Sequence, residues 1–497
     1  MSDIRQRETE FGSAASEQAA AVNARNRLVI TILTVSTFVV ILNETIIGVA
    51  IPQFILAFKI DASAAQWLSA AFMLTMAVVI PITGFLLQRF NTRPIFIAAM
   101  SFFSAGTLIA VLAPGFEVLL VARVVQACGT AIMFPLLITT IMELVPQATR
   151  GRTMGNISIV ISVAPALGPS ISGFILYTFD NQWRWLFILV LPIAVAALVV
   201  GGIRVKNVTT PRRTKFDVLS VILSALGFGG LVYGISNLGT ATAATIALTG
   251  WLPLGVGVVG IALFILRQLP LQKLDGALLD LRTFKSQTFT LSIVMFVISM
   301  MAFFGTIIVL PIFLESVLHL RVLDTGLLLL PGGLLMGLLA PFVGRFYDRH
   351  GPTGILASGA ILTSATLWCM TLINQYTSEW WVFTAYLALS VGLAFLFTPL
   401  FTASLGSLPE SLYSHGSAIV GTVQQVAGAA GTALLVTILS AYQIHPSALA
   451  PATVASTAIG VHYAFLTAAI ISLLAIPAAF LIRPPALEAG ATAADAR

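Results

Sequence analysis

The chain has 497 residues, of which 58% are hydrophobic and only 9% are charged. A soluble domain carries roughly 25% charged residues, so these few charges are not enough to cover a water-facing surface. The composition excludes a soluble enzyme, a nucleic-acid-binding protein and a disordered chain. The two cysteines, Cys128 and Cys369, both lie in apolar stretches and provide neither a disulfide framework nor metal-ligand spacing.

Apolar stretches long enough to cross a bilayer recur along the chain and predict an all-α polytopic membrane protein. Fourteen spanning helices, helices 1 to 14, are predicted over residues 28–55, 66–88, 93–113, 117–143, 152–178, 183–204, 216–237, 249–269, 287–318, 322–347, 352–374, 379–405, 415–440 and 459–482.

The basic residues indicate how the chain is oriented in the membrane. Most of the 25 lysines and arginines fall in loops on the same side as the N-terminus, whereas Lys59, Arg184 and Arg321 fall on the other side. Because basic loops remain in the cytoplasm, we expect both termini to be cytoplasmic. The expected location is a bacterial-type inner (plasma) membrane.

The second half of the chain repeats motifs of the first half in the same order. Gly84 corresponds to Gly344, and Pro135 to Pro399. The repeat predicts two homologous six-helix bundles, and transporters commonly place a substrate cavity between two such halves. The predicted organisation is an N-terminal cytoplasmic tail (1–27), an N-terminal bundle (28–204), two inserted helices with linkers (205–286), a C-terminal bundle (287–482) and a C-terminal cytoplasmic tail (483–497).

The loops after helices 2 and 10 carry related motifs. In segment 344–351 a glycine is followed four residues later by Asp348-Arg349 and then by another glycine. In segment 84–93, Gln88 and Asn91 stand in place of the aspartate and the second glycine. Both loops resemble the cytoplasmic signature loop of the major facilitator superfamily.

Three helices carry further motifs that resemble those of this superfamily. Segment 123–129 of helix 4 is similar to the Arg-x-x-Gln-Gly motif of its drug exporters. Segment 42–52 of helix 1 resembles a motif of its fourteen-helix drug:proton antiporters, with Asn43 at the position of the family's aspartate. Helix 5 resembles the antiporter signature through Gly168, Pro169, Ser172 and Gly173.

The resemblance is strongest to lincomycin-resistance-type and Emr-Qac-type multidrug exporters, and it covers nearly the whole chain. It implies the major facilitator fold and proton-coupled antiport that exports amphipathic drugs or antibiotics by alternating access. The expected partners are a small amphipathic substrate and the lipid bilayer, with the proton as coupling ion and no cofactor, metal, nucleic acid or enzymatic reaction. We expect a monomer.

Two other functions remain open at this point. One is a dedicated transporter of a single metabolite on the same fold, because a fold does not determine the cargo. The remote alternative is a membrane protein that transports nothing.

Glu44 is the first candidate for proton coupling. It lies about 16 Å from the outer end of predicted helix 1, at about 1.5 Å per residue. A charge at the bilayer centre costs at least about 2.5–3.5 kcal/mol, and burial favours the protonated form of a carboxyl group. Glu44 is therefore interpreted as the proton carrier, or alternatively as a neutral group hydrogen-bonded between helices.

Arg123 is the second candidate for proton coupling. In one interpretation its side chain reaches toward helix 1 and modulates the pKa of the Glu44 carboxyl group. In the other interpretation it extends to the outer membrane interface.

The cytoplasmic helix ends carry the predicted gate. Glu143 ends helix 4, where it either forms a salt-bridge network with Arg93 and Arg152 that closes the gate, or makes an interfacial ion pair of little energetic consequence. The full set of predicted gating residues is Gly84, Arg89, Arg93, Glu143, Arg152, Gly344, Arg345, Asp348 and Arg349.

The antiporter motif of helix 5 predicts a bend, because a proline inside a helix removes a hydrogen bond. The neighbouring glycines predict either a close seam with a helix of the second half or an ordinary packing kink. The predicted lining of the substrate cavity is Asn43, Gln126, Met133, Phe134, Phe304, Gln424 and Gln425.

Overall fold

The computed structural model describes residues 2–60, 62–207, 217–238, 245–274, 276–442 and 453–482. The described residues are nearly all helical. The helices are α1 (Ser2–Phe58), α2 (Ala62–Arg89), α3 (Thr92–Leu112), α4 (Phe116–Leu144), α5 (Arg150–Thr178), α6 (Trp185–Arg204), α7 (Val218–Leu238), α8 (Leu252–Leu271), α9 (Gln287–Ser316), α10 (Val322–His350), α11 (Pro352–Met370), α12 (Glu379–Gly406), α13 (Tyr413–Tyr442), α14 (Val454–Ser472) and α15 (Ala475–Leu481).

The number of spans agrees with the sequence prediction. Within the described residues, 13 helical segments are long and apolar enough to cross a membrane, and the bent helix α5 brings the number to 14. Helix α15 continues α14, and together they form one span, Val454–Leu481. Helix α1 begins at Ser2, so the predicted N-terminal tail continues the first span as helix. The predicted C-terminal tail, 483–497, lies outside the described residues.

Local signals explain several of the helix boundaries. The Ser286 and Thr453 hydroxyls accept backbone N–H groups at the starts of α9 and α14, as is typical of N-cap residues. Gly351 ends α10 with a φ of 76°, a left-handed conformation that glycine adopts readily. Pro352 then opens α11, where a missing N–H has no cost. The signature loop of the second half is thus a tight helix–helix connection.

The helix contacts repeat between the two halves of the chain. In the first half α2 packs on α4, α3 on α4 and α6, and α1 on α5. In the second half α10 packs on α12, α11 on α12 and α14, and α9 on α13. The structure is therefore two six-helix bundles of the same plan, as the sequence repeat predicts. The two bundles meet along α5–α10 and along α2–α13.

The inserted helices α7 and α8 occupy unequal positions. Helix α8 packs closely on α7 and exposes apolar side chains such as Val258 and Leu266. Helix α7 contacts both α2 and α13, and its buried Val232 clusters with Ala77 and Ala429 of those helices. A lipid-facing position fits α8, whereas α7 covers the junction between the two bundles.

Several helix connections lie together at one end of the bundles. The Gln88 amide at the end of α2 donates to the Ser411 carbonyl, and the Arg150 guanidinium lies 5.3 Å from the Tyr413 ring centroid. The first residues of α5 contact Asp348 at the end of α10. We call this end the arginine-rich face, since Arg93, Arg150, Arg152, Arg345 and Arg349 lie on it.

Candidate functional site

Arg123 forms the centre of a buried polar network inside the N-terminal bundle. The residue is 1% exposed. Its Nη1 donates to Asn43 Oδ1 of α1 at 3.2 Å and to Gln126 Oε1 of α4 at 2.9 Å. Its Nε donates to the Leu68 carbonyl of α2 at 3.3 Å. The guanidinium therefore lies among α1, α2 and α4, not at the outer interface.

Two further contacts complete the Arg123 network. The Gln126 Nε2 donates to Thr107 Oγ1 of α3 at 2.9 Å, and the Thr107 hydroxyl donates to the Phe103 carbonyl at 2.8 Å. The Phe72 ring lies 4.1 Å from the Arg123 Cζ, within the range of a cation–π interaction. A buried charge is tolerated only when it is paired or hydrogen-bonded; here α1, α2 and α4 supply the partners of Arg123, and α3 supports Gln126.

Glu44 lies beside this network without joining its hydrogen bonds. It is half-buried, and its carboxylate forms no hydrogen bond and no ion pair within 4.0 Å among the described residues. The charges of Glu44 and Arg123 nevertheless interact. The neighbouring Asn43 Nδ2 is buried and has no partner among the described side chains. The arrangement places a hydrogen-bonded cation next to a carboxyl group that has no hydrogen-bond partner among the described residues.

The predicted cavity lining separates into two groups. Asn43, Gln126 and Met133 are fully buried, so their prediction as lining residues is wrong for this structure: the first two bind Arg123 and the third is in the core. Phe134, Phe304, Gln424 and Gln425 are only half-buried.

The half-buried group lies close to the junction of the bundles. The Phe134 ring of α4 meets the Phe401 ring of α12 at 5.8 Å between centroids. Phe304 of α9 packs against Gly428 of α13. Gln424 and Gln425 of α13 make no hydrogen bond within the described part of the chain. These side chains remain candidates for substrate contact.

Asp348 joins the two bundles at the arginine-rich face. Its Oδ1 accepts the backbone N–H of Gly151 at 2.8 Å, and its Oδ2 accepts that of Arg152, also at 2.8 Å. Both donors belong to the first turn of α5, where unpaired N–H groups attract a carboxylate. A carboxylate of the C-terminal bundle thus caps a helix of the N-terminal bundle.

Glycines bring α5 and α10 close together at the same place. A Cβ at Gly344 would collide with the Gly151 carbonyl, and a Cβ at Gly155 with the Ala340 carbonyl. Val163 fills the space beside Gly337 one step further along the two helices. The seam follows small residues, which allow backbones to approach.

Helices α2 and α13 form a second, uncharged seam. A Cβ at Gly84 would lie 3.2 Å from the Ala418 Cβ. Hydroxyl pairs also cross between the bundles: Thr139 with Ser417 at 2.6 Å, and Thr398 with Ser158 at 2.8 Å. The two seams bring the bundles into contact at the arginine-rich face.

The predicted salt-bridge network of Glu143 is wrong. The Arg93 Nε donates to the Gly202 carbonyl of α6 at 2.8 Å, and Arg152 contacts Asp348 through its backbone. Glu143 is exposed and forms no ion pair within 4.0 Å among the described residues; the charge acting on it is that of Glu410. The Arg89 Cζ lies 6.0 Å from the Phe85 ring centroid.

The predicted bend of α5 is present, but the seam lies elsewhere. The segments Gln147–Pro165 and Ser170–Thr178 meet at 44°. Gly168 packs against Thr45 of α1, and a Cβ at Gly173 would meet nothing within 4 Å. The buried Ser172 hydroxyl has no partner among the described residues. The motif therefore packs within its own bundle, while the side chain of Pro169 lies outside the described residues.

Sequence reasoning missed the role of Arg150. Its Nε and Nη2 donate to the Val145 and Met142 carbonyls at 3.0 and 2.7 Å, which satisfies the free carbonyl groups at the end of α4. Its guanidinium also faces Tyr413 of the other bundle. A basic residue just after a helix end is a recognisable sequence signal for bonds to the last carbonyl groups of that helix. The contact with the Tyr413 ring has no such signal in the sequence.

Comparisons with known proteins identify the family. The Major Facilitator Superfamily model matches residues 33–432. The uncharacterized MFS-type transporter YcnB of Bacillus subtilis (strain 168) is 40% identical over 93% of this chain and 96% of its own length. The lincomycin resistance protein LmrB of the same organism is 37% identical over 91% of this chain and 94% of its own length.

A solved structure agrees with these relatives at the level of fold. The structure of the MFS proton:xylose symporter XylE, bound to 6-bromo-6-deoxy-D-glucose, matches with a TM-score of 0.66 over 93% of this chain and 97% of that chain, at 14% identity. The protein is a transporter and not an enzyme. The chain belongs to the Major Facilitator Superfamily.

Proposed function

We propose that this protein is a proton-coupled antiporter that exports amphipathic drugs, including antibiotics, across a bacterial plasma membrane by alternating access. The observation that carries the proposal is the position of Glu44 beside the hydrogen-bonded Arg123, without a direct ion pair between them among the described residues. Glu44, a half-buried residue whose carboxylate has no hydrogen-bond partner among the described residues, stands beside a cation that residues of α1, α2 and α4 hold in place.

The proposed coupling follows from the difference between these two groups. The hydrogen bonds to Asn43, Gln126 and Leu68 hold Arg123 in position whether or not Glu44 is protonated. A proton on Glu44 removes its attraction to Arg123, and loss of the proton restores that attraction. Glu44 therefore exchanges protons at low structural cost, which antiport requires.

The proposed export direction rests on the arginine-rich face being cytoplasmic, as the positive-inside rule implies. In this conformation the seams α5–α10 and α2–α13 close that side. Glu44 then takes its proton from the outside. Opening of the seams exposes Glu44 to the cytoplasm, where proton release accompanies drug loading.

The proposed substrate class is supported by the relative named as a lincomycin resistance protein. The candidate contact residues agree with it, since Phe134, Phe304, Gln424 and Gln425 combine aromatic surface with neutral amides. Such a lining suits amphipathic molecules better than highly charged metabolites.

The test is drug transport into everted membrane vesicles with an imposed proton gradient. We expect wild-type vesicles to accumulate lincomycin and a cationic dye, and an uncoupler to abolish accumulation. Glu44→Gln should lower gradient-driven uptake by about tenfold or more, because the amide carries no exchangeable charge. The matched control is Glu379→Gln at the exposed start of α12, which should transport like wild type.

Two results would contradict the proposal. Undiminished gradient-driven uptake by Glu44→Gln would remove Glu44 from the coupling step. Uptake of one metabolite and of no drug in a broad panel would favour the dedicated single-metabolite transporter.

A further inference from the structure

The arginine-rich face contains a cavity of ≈ 450 Å³ at the seam between the bundles. It lies where α5 begins and α10 ends. Its lining residues are Ala148, Arg152, Arg345, Asp348 and Arg349.

The residues that line this cavity carry more positive than negative charge. The guanidinium groups of Arg152, Arg345 and Arg349 form no hydrogen bond and no ion pair within 4.0 Å in the described part of the chain. Both carboxylate oxygens of Asp348 already accept backbone N–H groups of α5. Three positive charges and one negative charge leave the lining with a net charge of +2.

The three arginines come from both bundles. Arg152 lies in the first turn of α5, whereas Arg345 and Arg349 lie one turn apart on α10. An anion that contacts all three therefore bridges the α5–α10 seam. It adds to the contact that Asp348 already makes there.

The membrane side of the cavity is apolar. On α10, Leu338 and Phe342 are each 64% exposed, and Phe342 lies 5.7 Å from the Arg345 Cζ. Positions 338, 342, 345 and 349 share one face of the helix. Exposed apolar side chains thus lead along the helix to the guanidinium groups of Arg345 and Arg349.

We propose that this cavity binds a phosphate group, either as the head group of an anionic phospholipid or as free phosphate, and that the bound group bridges α5 and α10 and so stabilises the protein against unfolding. Guanidinium groups bind phosphate oxygens bidentately and with charge assistance. Basic pockets between helices at a membrane surface are suited to anionic head groups. The apolar stripe of α10 favours the lipid, since acyl chains find contact there. The binding step does not depend on what the protein transports.

The test measures ligand-dependent stability of the full chain purified in detergent. The midpoint of thermal unfolding is followed during titration with dioleoylphosphatidylglycerol, with dioleoylphosphatidylcholine or with inorganic phosphate. We expect the wild-type midpoint to rise with the anionic lipid and not with the zwitterionic one. The triple variant R152Q/R345Q/R349Q should bind at least about tenfold more weakly, because its charge-assisted bonds are lost.

Two further variants make the result specific. Arg349→Gln alone gives an intermediate loss and replaces the triple variant if that protein does not fold. Arg204→Gln removes an exposed arginine at the end of α6 and outside the cavity, so it should respond like wild type.

Each outcome either identifies the bound ligand as a lipid or free phosphate, or overturns the proposal. Protection by phosphatidylglycerol alone assigns the site to a lipid, and equal protection by inorganic phosphate at millimolar concentration assigns it to the free anion. No protection by either probe overturns the proposal. It is also overturned if Arg204→Gln loses as much as Arg349→Gln, or if the triple variant responds like wild type.

Discussion

Arg123 illustrates how a charge is stabilised inside an apolar bundle. Its guanidinium donates to a carbonyl and to two amide oxygens and faces an aromatic ring. None of these partners carries a charge, so Glu44 is not needed to hold the arginine in place. The proposed proton exchange at Glu44 rests on this: the hydrogen bonds that position Arg123 do not involve the carboxyl group of Glu44.

The first prediction concerns the carboxylate of Asp348 and its effect on closure of the α5–α10 seam. In Asp348→Asn a single amide oxygen replaces two charged acceptors, and each lost bond to a charged group is worth about 1.5–3 kcal/mol. We expect the ratio of closed to open molecules at the arginine-rich face to fall by about tenfold or more. Distances between spin labels at Gln147 and Glu410, one on each side of the seam, measure this ratio.

The control for this change is Asp324→Asn. Asp324 pairs with Arg321 within a single helix turn at the opposite end of α10. The Asp324→Asn substitution should leave the distances between the spin labels unchanged. Unchanged distances in Asp348→Asn would instead show that the cap does not hold the seam.

Helices α5 and α10 depend on glycine for their closest approach. We expect Gly344→Ala to separate the two helices, because the added methyl group meets the Gly151 carbonyl. Gly354→Ala on α11 is the matched control, since its Cβ would meet nothing within 4 Å and alanine favours a helix over glycine by about 1 kcal/mol. Thermal unfolding should therefore show a lower midpoint for Gly344→Ala and an equal or higher one for Gly354→Ala. Equal midpoints for Gly344→Ala and wild type would contradict this.

Helices α7 and α8 are joined by an ion pair at one end. The Arg267 guanidinium donates to both oxygens of Asp217, at 3.0 and 3.1 Å. Together with the Ser220 hydroxyl, it lowers the pKa of the Asp217 carboxyl group. A lowered pKa stabilises the fold above the ordinary aspartate pKa, and this contribution is lost as the pH falls through the lowered value.

The prediction for Asp217→Asn follows from the lowered pKa of the Asp217 carboxyl group. The difference in unfolding midpoint between wild type and variant should stay constant from pH 7 to about 4 and shrink below about pH 4. Thermal unfolding in detergent across this range measures it. A difference that persists undiminished at about pH 3 would mean that Asp217 acts through its shape and not its charge.

At the scale of the whole molecule, the two halves share the same helix arrangement but differ in the contacts that they make at the arginine-rich face. The C-terminal bundle contributes the charged cap Asp348 and two arginines of the cavity. At the corresponding position of the N-terminal bundle, Gln88 donates one neutral hydrogen bond to Ser411. Closure is therefore electrostatic at the α5–α10 seam and neutral at the α2–α13 seam, with α7 covering the latter.

The sequence by itself determined the membrane class, the number of spans, the two repeated bundles and the family. These follow from span length, hydropathy and the order of short motifs, which are properties of neighbouring residues. It also indicated Glu44, Arg123 and Asp348, because an ionisable group in an apolar helix or a signature loop stands out without a structure.

Only the tertiary structure decided which groups meet. Each residue turns an α-helix by about 100°, so small differences in rotation and tilt decide whether a side chain faces a seam, the core or lipid. For this reason the local pattern pairs Glu143 wrongly and places the seam at Gly168, whereas the structure has it at Gly151. The pattern also places Gln126 in the cavity lining, whereas the structure buries it in the Arg123 network. Packing between helices distant in the sequence, and not local pattern, sets these contacts.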